Sequence, residues 1–178
     1  MRKTRLLVLA TCAAALLVAA PAGAATYTVS GKQSVVDEEK GIYKMRGSLV
    51  GRWTTTSFEE VATEPYYQGR GTERFRGCLD RRRDHSCKGD PSGSLSFTFD
   101  YWALFDGEDL VWGSCWHPVT GGTGDFAGAR GVLVMVDTPT KGGVRTDYIG
   151  NLTLKGRGKS ARRASAAAST SRAGCVAG

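Results

Sequence analysis

The 178-residue chain carries 24 glycines, five prolines and a formal net charge of +7. Glycine is about twice as frequent as the usual ~7%, and no stretch between residues 25 and 154 holds an apolar 3.6-residue period long enough for a helix, which excludes a helical architecture. The charge excludes less: Arg2, Lys3 and Arg5 contribute +3, residues 25–154 hold 15 basic against 17 acidic side chains, and six cations without an acid fill residues 155–178.

The first 24 residues read as a secretory signal peptide. A basic start is followed by the apolar run Leu6 to Ala20, and Ala22-Gly23-Ala24 supplies the small-x-small pattern for cleavage after Ala24 or Ala25. The run is too short for a membrane span of roughly 20 residues, and no basic stop-transfer cluster follows, so no membrane anchor is expected after cleavage. Cys12 follows Thr11, where a lipoprotein signal would carry Gly, Ala or Ser, and most of the apolar run lies beyond it. The signal predicts a secreted protein whose residues 25–154 form one domain.

Two-residue alternation then dominates. From Tyr43 to Trp53 the odd positions are Tyr43, Met45, Gly47, Leu49, Gly51 and Trp53, against Lys44, Arg46, Ser48 and Arg52, which predicts one inside/outside strand. From Tyr66 to Leu79, Tyr67, Glu73, Phe75 and Leu79 share a face with three glycines, opposite Arg70, Arg74 and Arg76. Leu95 to Phe105 places Leu95, Phe97, Phe99, Tyr101, Ala103 and Phe105 together. Leu110, Trp112 and Trp116 are expected on one face of the next strand with Cys115 on the other. Gly131 to Asp137 is apolar on both faces, so its outer face is expected to be covered, and Tyr148 to Leu154 ends the domain.

Turn signals separate these segments: Gly89 to Gly93, Asp106-Gly107, Gly121-Gly122 and Lys141 to Gly143. Six to eight antiparallel strands at hairpin spacing mean a barrel or a sandwich, and glycine recurring on the inner face favours the barrel, because it permits sharp coiling. Residues 155–178, rich in Ala, Ser, Gly and Arg, cannot bury apolar surface and read as a disordered basic tail. Because the cations sit there, the basic pI is not taken as a sign of nucleic-acid binding.

Four cysteines follow the signal, and an even number in an oxidising compartment predicts two disulfides. The loop between Cys78 and Cys87 is too charged for a core of its own, so a Cys78–Cys87 clasp comes first and Cys115–Cys175 follows by elimination. The rival is a bridge from Cys115 to Cys78 or Cys87 that leaves Cys175 loose.

The most distinctive segment is Val119-Thr-Gly-Gly-Thr-Gly-Asp-Phe-Ala-Gly-Ala-Arg-Gly131, read as a glycine turn, a short strand with Phe126 inward, and a second glycine corner. It lacks the Lys-Ser/Thr of a phosphate loop. With the closing strand Tyr148-Ile-Gly-Asn-Leu-Thr-Leu154 it resembles the allene oxide cyclase and dirigent-like barrel superfamily. The resemblance implies an eight-stranded antiparallel β-barrel with a lumen open at one end, often assembled into dimers or trimers. It also implies, in the cyclase branch, an inward carboxylate acting on a bound lipid epoxide. Many secreted bacterial members have no assigned activity, and fold alone does not give function.

Glu73 is the one candidate catalytic residue, since its parity puts a carboxylate among apolar lumen side chains, where ionisation is costly. Trp53, Glu73, Phe99, Tyr101, Trp112 and Trp116 form the candidate ligand-binding set, with core filling as the alternative for the aromatics. His117 precedes Pro118 at an expected strand end and is given an exposed or capping place. No metal site or cofactor is predicted, because two histidines without a free-cysteine pattern do not make a zinc site. Arg81-Arg82-Arg83 reads as a solvated loop face. The expected function is non-catalytic binding of a small apolar ligand or a surface partner. The alternative is a cyclase- or dirigent-like enzyme that shapes a reactive intermediate in the lumen, which needs little more than a cavity and a polar group.

Overall fold

The structure, a computed structural model, describes residues 23–63 and 66–155. The expected signal segment up to residue 22, Cys175 and the tail from residue 156 lie outside them. Eight strands follow in order: β1 (Ala24–Asp37), β2 (Ile42–Gly47), β3 (Leu49–Ala62), β4 (Tyr67–Leu79), β5 (Ser92–Asp106), β6 (Asp109–Gly124), β7 (Arg130–Thr140) and β8 (Gly143–Lys155). Each pairs antiparallel with its sequence neighbours, and β1 pairs with β8 from Ala24↔Lys155 to Gln33↔Thr146, which closes the barrel. The expectation of an eight-stranded antiparallel barrel rather than a sandwich is met. Closure leaves no sheet edge to template pairing with another chain.

The stretch Tyr43 to Trp53 is two strands, not one. Ile42↔Thr54, Tyr43↔Trp53 and Met45↔Gly51 pair across a hairpin. Five residues separate Met45 from Gly51, so odd positions stay opposite odd positions and the alternation runs through the turn unbroken. A hairpin and a continuous strand therefore look alike in sequence here. The bend is set by Gly47, whose φ of +105° lies in the region that favours glycine, and a Cβ there would stand 2.5 Å from the Ser30 carbonyl oxygen. Ser48 locks the corner: its N–H donates to Ser30 O at 2.8 Å, and its Oγ accepts from Ser30 N–H.

The base of the barrel is closed. Phe126 enters from the turn between β6 and β7 and is fully buried against Phe75, with ring centroids 6.3 Å apart. Leu49, Leu79, Leu95, Leu133 and Leu152 are buried with it in one cluster. The buried Tyr148 hydroxyl accepts from Leu49 N–H at 2.8 Å and donates to Arg46 O at 3.2 Å, tying β8 to the β2–β3 corner. Burial raises its pKa to about 12. Phe126 points inward as expected, but from a turn rather than a short strand, and β6 runs on through Gly121-Gly122, where a turn was expected. The Cys78–Cys87 disulfide is present and clasps the charged loop between β4 and β5. In that loop Arg81 pairs with Asp90 at 2.9 Å and Arg82 with Asp84 at 3.2 Å.

Candidate ligand-binding lumen

The opposite end is open. A cavity of about 1610 Å³ runs down from the β1–β2, β5–β6 and β7–β8 turns, and Tyr43, Thr55, Glu73, Phe99, Tyr101 and His117 are among the residues lining it. Its depth follows from the inner parity of β3 to β7. In β4 the register is unbroken against β5 from Tyr67↔Ala103 to Cys78↔Ser92, so alternation delivers Glu73 inward, as predicted. Its opposite neighbours are Thr55 on β3 and Phe97 on β5.

The expectation for β6 is overturned. Leu104 pairs with Trp112 but Phe105 with Leu110, and Ser96 pairs with Gly121 but Phe97 with Val119, which leaves Val111 and Thr120 as extra residues. A bulge of one residue reverses the face of everything beyond it. Leu110 therefore lines the lumen, whereas Trp112 and Trp116 stand on the outer wall, 47% and 58% exposed. They belong to no lumen binding set. Cys115 and His117 take the inner positions instead. His117 is 2% exposed, because β6 does not end at Pro118 but continues to Gly124. Cys115 is a buried free thiol among the described residues, and the Cys78–Cys87 bond rules out the rival bridge from Cys115 to either of them; the expected partner Cys175 lies outside the described residues. On β7, Val132, Val134 and Val136 are half-buried beside Pro118, Trp116 and Ser114.

The lumen floor is a carboxylate–imidazole pair. His117 Nε2 lies 2.9 Å from Glu73 Oε2, and Thr55 Oγ1 donates to Glu73 Oε1 at 3.0 Å. The Nε2–Oε2 approach is a close polar contact without hydrogen-bond alignment, for Oε2 has no hydrogen-bond partner among the described residues. Aromatic rings hold the imidazole in place. Trp53 meets it edge-on at 5.4 Å, Phe97 at 6.4 Å, and Phe99 lies tilted at 6.0 Å. Among the described residues, His117 Nδ1 and Trp53 Nε1 are buried without a partner. Groups of this kind cost about 1–3 kcal/mol each when left unsatisfied, and such sites in native proteins call for an explanation.

Above the pair the wall is mixed. Gly113 leaves room for the Tyr101 hydroxyl, which would stand 2.7 Å from a Cβ at that position. Burial, and then the nearby Asp137 carboxylate, push the Tyr101 pKa well above its ordinary value. Tyr43 is raised by burial and then by Glu73. Burial, then the charge of Glu73, push the Cys115 thiol far up. It stays protonated and is no nucleophile, since the thiolate is the reactive form.

Of the predicted set, Glu73, Phe99 and Tyr101 line the lumen, Trp53 is packed beneath it against Phe97 at 4.5 Å, and Trp112 and Trp116 are outside. His117, Cys115 and Thr55 were not predicted there, and Tyr43 was read on the inner face but outside the binding set. The alternation of Cys115, His117 and Val119 was the available signal for the first two. Among the described residues, the one group of three acidic, histidine or cysteine side chains within metal-binding reach is Asp80, Asp84 and Asp90 on the clasped loop. Arg81 and Arg82 already supply countercharge there. No helix among the described residues is long and apolar enough to cross a membrane. Comparison with family models, curated proteins and solved structures finds no match to this chain.

Proposed function

We propose that this chain is a secreted barrel that binds one small molecule in its lumen, an apolar body among Phe99, Tyr101 and Met135 with a neutral polar group reaching Glu73 and His117. The observation that carries this is the Glu73–His117 pair among the residues lining an open cavity of about 1610 Å³, with His117 Nδ1 buried and unpartnered among the described residues. The mouth is charged, with Glu38, Glu39, Lys40 and Glu108, but deeper the rings of Phe99 and Tyr101 converge with a few polar groups, the usual form of a small-molecule site. The Cys78–Cys87 disulfide fits an oxidising compartment, and the resemblance to the cyclase and dirigent-like barrels agrees with a lumen that takes a ligand. The neutral ketone prodan, a solvent-sensitive fluorophore, is a suitable probe. Its emission should shift to the blue on binding, and His117→Phe should weaken binding at least tenfold, about 1.4 kcal/mol. Binding that survives His117→Phe and disappears in Trp116→Ser would place the probe on the outer wall and refute the reading.

A second reading is favoured by the same pair. A carboxylate in contact with an imidazole can hold and pass a proton beside a bound intermediate, which is the polar equipment a cyclase- or dirigent-like enzyme needs. Glu73→Gln preserves shape and removes the charge. Under this reading it abolishes turnover of a reactive intermediate while leaving prodan binding intact; under simple binding there is no turnover to lose.

A further inference from the structure

The outer wall of β2, β3 and β4 carries a different feature. Lys44 pairs in register with Arg52, and Arg52 with Arg76, so three cations stand side by side in one cross-strand row. With strands about 4.8 Å apart, that row spans about 10 Å. Arg46 and Arg74 stand two residues along β2 and β4 from Lys44 and Arg76, about 7 Å away on the same face. All five are exposed.

None of the five takes part in an ion pair among the described residues. Elsewhere Lys40 pairs with Asp37, Arg70 with Glu59, Arg81 with Asp90 and Arg145 with Asp147. Lys32, Arg83, Lys88, Arg130, Lys141 and Lys155 also lack an ion pair among the described residues, so it is the cross-strand clustering rather than the lack of pairing that marks this wall. Like charges directly opposite each other destabilise a sheet, and residues 25–154 as a whole are net acidic. The cations have therefore been gathered on this wall against a local cost. Half-buried hydroxyls stand among them: Thr54 and Ser96 flank Arg74 across the strands.

We infer that this wall is a binding surface for a linear acidic glycan bearing sulfate or phosphate esters. The predominance of arginine suits bidentate recognition of tetrahedral oxyanions, and the neighbouring hydroxyls suit sugar hydroxyls. The surface lacks what other polyanions use. Among the described residues, no aromatic ring projects between these cations for bases to stack on, as single-stranded nucleic-acid sites require. No apolar face accompanies them for insertion at a lipid interface. The surface is separate from the lumen, so the two sites are testable independently.

Heparin is the probe, titrated against the full chain between 50 and 300 mM NaCl. The variant R52T/R74T/R76T removes three charges from the wall. K40T/K141T/R145T removes three from the lumen mouth and controls for net charge. The wall variant should reduce the slope of log affinity against log salt by about three and weaken binding at least tenfold at 150 mM, with the mouth variant within twofold of wild type. Equal losses in the two variants, or no loss in the wall variant, would overturn the proposal, because general charge or residues 155–178 would then carry the binding. A single-stranded oligonucleotide of matched charge, or phosphatidylserine vesicles, bound as tightly as heparin through the same three arginines, would overturn the assignment to a glycan. R52K/R74K/R76K keeps the charge and guards against misfolding: it should retain the salt slope while weakening heparin binding two- to fivefold, and full affinity would refute the role given to arginine geometry.

Discussion

Replacing the lumen pair Glu73–His117 by Leu and Phe should make the protein more stable while it abolishes binding. His117 is 2% and the Glu73 side chain 9% exposed, so the pair has lost most of its hydration. In return Glu73 gains one hydroxyl hydrogen bond and an unaligned contact with His117 Nε2, while His117 Nδ1 gains no partner among the described residues. Well-packed apolar replacements for buried pairs are commonly neutral or stabilising by about 1–4 kcal/mol, and removal of an unsatisfied Nδ1 alone recovers about 1 kcal/mol or more. E73L/H117F should therefore gain about 1–3 kcal/mol in urea unfolding, seen also as a rise in Tm of roughly 3–10 °C for a domain of this size. The single variant H117F should lose about 2 kcal/mol, less than the 3–5 typical of a broken buried pair, since Thr55 Oγ1 still donates to the remaining carboxylate. The double-mutant cycle then shows a coupling of several kcal/mol between the sites. If the double variant were the least stable of the set, the pair would be a structural tie, and the argument that the lumen floor is kept polar for a ligand would fail.

Alkaline pH tests Cys115. Its folded pKa is raised by burial above the unfolded value of about 8.5, so the stabilisation is fully present below pH 8.5 and is lost as pH rises. Unfolding free energy should fall by about 1.4 kcal/mol per unit between pH 9 and 10, and Cys115→Ala should flatten that slope; an unchanged slope would locate the titration elsewhere. Reduction of the Cys78–Cys87 bridge frees a loop spanning nine positions. Loop-closure entropy assigns it about 2–3 kcal/mol, measurable as a shift of the denaturation midpoint in the serine double variant. A loss under 0.5 kcal/mol would mean that the Arg81–Asp90 and Arg82–Asp84 pairs order the loop without it.

What was legible in the sequence tracks where the ladders are regular. Glu73 could be placed from alternation because β4 pairs with β5 without interruption over its whole length. Trp112 and Trp116 could not, because the bulge at Val111 depends on how β6 lies against β5 and leaves no local mark. The same bulge concealed the inward turn of Cys115 and His117, and the proline after His117 encouraged an early end to a strand that pairs β7 through Pro118↔Val132. The β2–β3 corner was hidden by arithmetic, an odd loop preserving parity. β1 was not read as a strand at all: its inner face is lined by Val29 and Gly31, and it is completed by β8, more than a hundred residues away.

The seam where β1 meets β8 also gives the molecule a polarity. Ala24 and Lys155 are paired at the base, beside the hairpin corner and the clasped loop, and the mouth faces the other way. An affinity tag or surface tether fused directly at Ala24 or Lys155 would start at the foot of a cup, at the end opposite its rim. A barrel tethered at that seam would be held opposite its opening, with the arginine wall along its flank.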